Sequence, residues 1–219
     1  MRTKLAALAI TPVLLMLLVG CSGRGGRKVI DFESAKVGQL PAGWTSAVTS
    51  APAGRWEVRS DPTSPAGPNV LVQADDDATS GRFPLCIYDG LTAKDVEVSV
   101  YFKPIAGKVD RGAGIVVRWQ DKDNYYIARA NGLEDNVRLY KVEGGKRRQF
   151  AGVEKVTPPG TGQWHRLTLR VVGSRFAVAM DGRELFTAED STFPVAGKVG
   201  LWTKADSITA FDGFTIEEK

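Results

Sequence analysis

Histidine is nearly missing from this 219-residue chain, and thiols are scarce: there is one His and there are two Cys. One histidine and so few cysteines cannot furnish an ordinary four-ligand zinc site. No Gly-x-Ser-x-Gly elbow accompanies His165, so a serine-histidine-acid hydrolase is not indicated either. His165 keeps step with Leu167, Leu169 and Val171, which assigns it to the end of an apolar strand face as a structural residue. The one metal the sequence invites is calcium, at Asp75-Asp76-Asp77, but the spaced ligands and closing glutamate of a calcium loop are missing. A solvated turn is the better reading, and no cofactor is expected.

Strong charge of either sign is also lacking. The chain carries 29 basic and 25 acidic side chains. Removing Arg2 and Lys4 with an N-terminal leader takes these to 27 against 25, a net of +2, so a nucleic-acid partner is not expected. That leader is the single long apolar run, Leu5 to Val19, behind Arg2 and Lys4 and ending in Leu18-Val19-Gly20-Cys21. Charged start, short apolar middle and a small residue before the cut are the three parts of a secretory signal, and the run falls short of the roughly 20 residues a bilayer span needs. The end of the segment resembles the lipobox of bacterial lipoproteins. The resemblance implies that residues 1–20 are removed and that Cys21 is acylated, anchoring the protein to a membrane of the cell envelope on its periplasmic or cell-surface face. Residues 21–28 are Gly-rich with Arg24, Arg27 and Lys28, the composition of a flexible tether near anionic headgroups. Acylation of Cys21 would leave Cys86 unpaired, a small buried hydrophobe with no disulfide.

Residues 29–219 suffice for one domain, and helical periodicity is almost absent from them. Val96, Val98, Val100 and Phe102 alternate with Glu97, Ser99 and Tyr101, the period of a strand with one face buried. Further strands are read at 29–32, 56–59, 69–74, 113–120, 124–131, 136–143, 147–152, 165–172, 175–180, 183–188, 198–203 and 208–217. Gly144-Gly145, Gly173-Ser174 and Asp181-Gly182 supply the positive φ of two-residue hairpin turns, so their flanking strands are antiparallel neighbours. Pro41, Pro52, Pro62, Pro65 and Pro68 mark long loops in the N-terminal part. Many short strands without helices predict an all-β, two-sheet antiparallel sandwich, with a closed barrel as the alternative. Lys146-Arg-Arg148 suits an edge strand, where charge discourages unwanted pairing.

Several stretches resemble the concanavalin A-like jelly-roll superfamily, and within it the 3-keto-disaccharide hydrolase (glycoside hydrolase-like) branch. They are Asp95-Val-Glu-Val-Ser-Val-Tyr-Phe102, Gly112-Ala-Gly-Ile-Val-Val-Arg118, Asn124-Tyr-Tyr126, the segment from Gln163-Trp-His165 to Asp181-Gly182, Gly197-Lys-Val-Gly-Leu-Trp202 and Phe211-Asp-Gly-Phe-Thr-Ile216. The resemblance implies a jelly-roll fold and a carbohydrate ligand. Laminarinase-type relatives carry Glu-x-Asp-x-x-Glu on one strand, and this chain has no such sequence.

Strand period then proposes a face for the ligand. Ile115, Val117 and Trp119 are assigned to the core, leaving Arg118 outside; Val137 and Leu139 leave Arg138 and Tyr140 outside; Val199 and Leu201 leave Trp202 outside. Sugars offer flat C–H surfaces to aromatic rings and hydroxyls to arginines and carboxylates. The candidate groove is therefore Tyr101, Arg118, Tyr126, Arg138, Tyr140 and Trp202, with Glu97 as the catalytic acid should the protein be an enzyme. These residues point to a lectin-like domain that binds carbohydrate or envelope glycan. The alternative is a glycoside or 3-keto-disaccharide hydrolase or lyase, and the third reading is a structural protein that docks another envelope component. On the binding reading Trp202→Ala lowers glycan affinity and leaves the fold intact.

Overall fold

The computed structural model describes residues 26–50, 54–156 and 160–219, so the leader, Cys21 and Pro52 lie outside the described residues. Among those residues the chain forms strands and no helix. In order they are β1 (Lys28–Ile30), β2 (Trp44–Thr49), β3 (Trp56–Ser60), β4 (Asn69–Gln73), β5 (Phe83–Ala93), β6 (Val96–Ala106), β7 (Gly112–Asp121), β8 (Asn124–Asn131), β9 (Asn136–Glu143), β10 (Lys146–Glu154), β11 (His165–Val172), β12 (Arg175–Met180), β13 (Arg183–Glu189), β14 (Gly197–Trp202) and β15 (Ile208–Glu218).

They build a two-sheet antiparallel jelly-roll sandwich rather than a closed barrel. One sheet runs β13-β12-β11-β6-β15-β4-β3, with β1 also pairing with β15; the other runs β10-β9-β8-β7-β14-β5-β2. The three glycine turns make the hairpins expected of them, with Gly144, Gly145, Gly173 and Gly182 at φ between 55° and 81°. Valines 96, 98 and 100 with Phe102 turn from β6 into the space between the sheets, against Ile115, Val117, Tyr126, Leu139, Val199 and Leu201. The basic 146–148 segment does lie on an edge strand, β10.

Two features depart from simple alternation. First, β7 is bulged: Arg118 has φ 49°, and the β7–β8 register shifts between Val117 and Asp121. The bulge reverses the side-chain order beyond Val117. Arg118, expected outside, is buried at the sheet margin, and Trp119, expected in the core, packs on the opposite face. Gly197 accommodates the displaced backbone, since a Cβ there would fall 2.5 Å from the Arg118 carbonyl carbon.

Second, the outer face of the seven-stranded sheet is itself apolar. Phe83, Leu85, Ile87, Val116, Tyr125, Ile127, Tyr140, Val142 and Trp202 form a separate buried cluster there. Burying a leucine or isoleucine is worth about 1.5–3 kcal/mol wherever it happens, so this layer is a second core. It also explains why β5 reads as an almost continuous apolar run, Phe83-Pro-Leu-Cys-Ile-Tyr88, with both faces covered.

Candidate functional site

The structure distributes the seven residues of the expected groove over three places. Glu97 and Tyr101 lie on β6, on the outer face of the eight-stranded sheet, with Glu97 3.4 Å from Lys219 and Tyr101 beneath the Arg166 guanidinium at 5.6 Å. Arg118 and Tyr126 are interior. Tyr126 packs edge-on against Phe176 at 4.8 Å and donates its hydroxyl to Asp190 at 2.6 Å; burial first, and then that bond, push it up to about 12. Arg138, Tyr140 and Trp202 share the outer face of the seven-stranded sheet. Tyr126, expected in the groove, faces the interior because the outer set of β8 is Tyr125, Ile127 and Arg129. Glu97, the candidate acid, is therefore on the other sheet from the arginine and aromatic residues that share a face.

Three neighbouring residue types give that shared face its chemistry, all at the end where β6 passes into β7, β8 into β9 and β14 into β15. The 107–111 loop is fixed by Asp206, whose carboxylate accepts the N–H groups of Lys108, Val109 and Asp110 at 2.7, 3.0 and 2.9 Å. Burial opposes that charge, but the three donors outweigh it and hold Asp206 below the usual carboxylate range. Asp110, so positioned and 1% exposed, accepts from Asn131 at 2.9 Å and pairs with Lys204. On β8, the buried Arg129 forks onto Glu134 (2.8 and 3.3 Å) and donates to Asn136. That fork, opposed by partial burial, holds Glu134 down at about 2. Arg138 reaches Glu154 at 2.9 Å.

Beside these ion pairs stands an aromatic surface. Arg147 of β10 lays its guanidinium over Tyr140 at 4.5 Å, Phe83 at 4.7 Å and Trp202 at 5.6 Å, and Arg129 lies over Tyr140 at 5.3 Å. Arg129 Nε and Arg147 Nη1 are buried without a hydrogen-bond acceptor. Donors in fixed planes, carboxylate acceptors and a ring in one place are equipment for hydroxyl-rich ligands. Sequence reasoning missed Asp110, Arg129, Glu134 and Lys204, and read Arg147 as part of the basic edge-strand segment 146–148. The available signal was Arg129 opposite Arg138, with Tyr140 diagonal to it, but it required the β8 face to be assigned first.

The other residues singled out in the sequence have structural uses. Asp75 and Asp77 are committed to the buried Arg82, whose Nη2 lies 2.7 Å from Asp75 and whose Nε lies 3.7 Å from Asp77, so the turn is organised around a guanidinium. His165 bonds Asp181 through Nδ1 at 2.8 Å and packs on Phe102. Cys86 is fully buried, and desolvation pushes its thiol well up.

No family model matches the chain. Over 111 residues, 49% of the chain, it is 33% identical to a levanase of Bacillus subtilis (strain 168), of which that stretch covers 16%. Among solved structures, the carbohydrate binding module CBM66 from Bacillus subtilis superposes with a TM-score of 0.62 at 23% identity, covering 80% of this chain and 96% of the module. A Bacillus licheniformis β-glucanase superposes with a TM-score of 0.56 at 13% identity, over 89% of this chain and 99% of that one. At these identities the structural likenesses establish the jelly-roll sandwich as the fold.

Proposed function

We propose that this protein is a lipid-anchored, extracytoplasmic saccharide-binding domain whose ligand lies on the outer face of the seven-stranded sheet, against the Arg147 guanidinium and beside the Arg129–Glu134 and Lys204–Asp110 pairs. The observation that carries the reading is the partly exposed Arg147 guanidinium, stacked on Tyr140, Phe83 and Trp202 beside the exposed Glu134. A planar set of donors next to a carboxylate at an accessible margin can bond the hydroxyls of a saccharide. The levanase match over half the chain and the likeness to a carbohydrate-binding module support it.

Glu134→Gln keeps an acceptor for Arg129 but removes the charge that orients it. In glycan-array and calorimetric measurements on the full chain, the variant is expected to bind about tenfold more weakly than wild type, a difference of about 1.4 kcal/mol, with its melting temperature changed by only a few degrees. Failure of the wild-type chain to retain any glycan on a broad array refutes the reading.

Anchoring rests on Leu18-Val19-Gly20-Cys21, and Cys21→Ser is expected to move the protein from the membrane to the soluble fraction; a mutant still found with membranes contradicts acylation. The topology gives such an anchor a consequence. β1 joins β15 at Phe214–Ile216, near the end of β15, while the site lies beyond the end of β6, beside the start of β15. Lys28 pairs with Ile216, which faces Val98 of β6, so the tether and the far end of β6 at Ala106 are separated by about 26 Å at roughly 3.3 Å per residue. The anchor would then hold the site facing away from the membrane.

A further inference from the structure

The eight-stranded sheet carries a buried ionisable group that the saccharide reading does not use. Phe211 and Phe214 of β15 both enter the core, and the register against β6 shifts between Asp212 and Thr215, so Asp212 and Gly213 lie together at a bulge. Asp212 is fully buried there, and among the described residues it has no ion-pair partner. Two neutral donors bond its carboxyl, the Ser64 hydroxyl and the Gly213 N–H at 2.7 Å. Ser64 belongs to the loop 61–68, which is closed at its base by the Asp61 N–H on the Pro68 carbonyl at 2.7 Å. A Cβ at Gly213 would fall 3.0 Å from the Ala66 side chain and 3.1 Å from the Tyr101 ring, so loop, bulge and β6 are in close contact.

The surroundings favour a neutral carboxyl. Glu33 and Asp31 approach from the segment after β1, while β4 contributes no ionisable side chain. On β6, Tyr101 lies opposite Asp212, and Lys103 is engaged by Asp61 and Thr63 of the loop itself. Arg166 of β11 stands beyond Tyr101, 5.6 Å from its ring. Burial first, and then the two acids, push Asp212 up to about 6 against the pull of Ser64 and Gly213. We infer that the loop 61–68 is an acid-fastened strap, held on β15 by a protonated Asp212 and loosened when that proton leaves. With the proton on, the carboxyl can donate to Ser64 Oγ and still accept from Gly213; without it, a charge lies buried near two acids with no cation to offset it. In the open strap Asp212 is hydrated and returns to the ordinary carboxylate value of about 4, so the closed strap holds the proton more tightly. Closure is therefore firmest below about pH 4, weakens as the pH rises, and levels off above about 6. The strap lies on the other sheet from the proposed ligand face and stands independently of the saccharide reading.

The experiment follows the full chain by NMR between about pH 4.5 and 7, first through the carboxyl carbon of Asp212 and then through amide exchange at Ser64 and Ala66, corrected for the intrinsic effect of pH. The carboxyl is expected to titrate with a midpoint near 6, and the two amides to report at least about tenfold more opening at the upper pH than at the lower. A midpoint in the ordinary carboxylate range, or equal opening at both pH values, overturns the inference, and neither measurement needs a variant. Asp212→Asn, whose amide cannot ionise, is expected to lose the rise in opening; the same rise in this variant overturns the assignment to Asp212. Its melting temperature is expected to lie a few degrees above that of the wild type at about pH 7 and to match it at about pH 4.5. A variant that melts below the wild type at the upper pH shows the ionised carboxylate to be stabilising, and overturns the strap.

Discussion

Trp202→Ala is expected to destabilise the domain by about 3–5 kcal/mol, the usual cost of removing a fully enclosed large aromatic. The side chain is fully buried on the outer face of the seven-stranded sheet, against Phe83 at 5.5 Å. Its floor is made of glycine: a Cβ at Gly112 or Gly114 would come within 3.4 or 3.2 Å of the indole. Neither glycine can grow to fill the space, and Arg147 above would lose one of its three rings. Trp202→Phe keeps part of the contact and is expected to cost about 1–2 kcal/mol. Denaturant unfolding of both variants reads this directly, and an unchanged midpoint for Trp202→Ala would contradict the buried placement. Loss of glycan binding in Trp202→Ala would therefore report unfolding rather than a missing contact, the reverse of what strand period alone suggests. Glu134 and Arg147, at the accessible margin, are the informative positions.

That reversal shows where the sequence was readable. Strands whose ends carry turn signals could be bounded closely: β8, β9, β11 and β12 lie where those signals place them. β2 and β5 were missed. Trp44-Thr-Ser-Ala-Val-Thr49 is a short edge strand of mostly small residues, and Phe83–Tyr88 of β5 is apolar on both faces and contains Pro84, an unusual residue for an internal strand. The core between the sheets was legible because valine alternation on β6 marks it. The candidate site was only partly legible, since period correctly turned Arg138, Tyr140 and Trp202 away from that core but could not show that Trp202 lies under a second apolar layer. Nor could it see that Asp110 and Lys204 come from loops 94 residues apart in sequence and meet only through topology. Arg118 failed for a different reason, a single bulge residue that no periodic rule contains.

Arg118 is also where a second large effect is expected. From the bulge in β7 its guanidinium donates to three backbone carbonyls: Lys94 at 2.9 Å, Phe193 at 3.0 Å and Gly173 at 2.6 Å. It also pairs with Asp95 at 3.3 Å, which in turn accepts the Gly173 N–H at 2.8 Å. One side chain thus ties a strand of the seven-stranded sheet to the β5–β6 turn, the β11–β12 turn and the segment entering β14. Burial lowers its pKa, but with four acceptors around it the group stays charged. Arg118→Ala strands those acceptors and is expected to cost about 3–5 kcal/mol, the range for breaking one side of a buried charged network. The backbone adds a distinguishing test. At φ 49° any residue with a Cβ pays about 1–2 kcal/mol that glycine does not. Arg118→Gly should therefore be more stable than Arg118→Ala by about 1 kcal/mol, although glycine is ordinarily the worse residue in a strand. Denaturation midpoints in the order wild type, Gly, Ala would confirm that guanidinium and bulge act together; Ala above Gly would mean that the bulge relaxes once the side chain is gone, and that the guanidinium is what holds the left-handed turn in place.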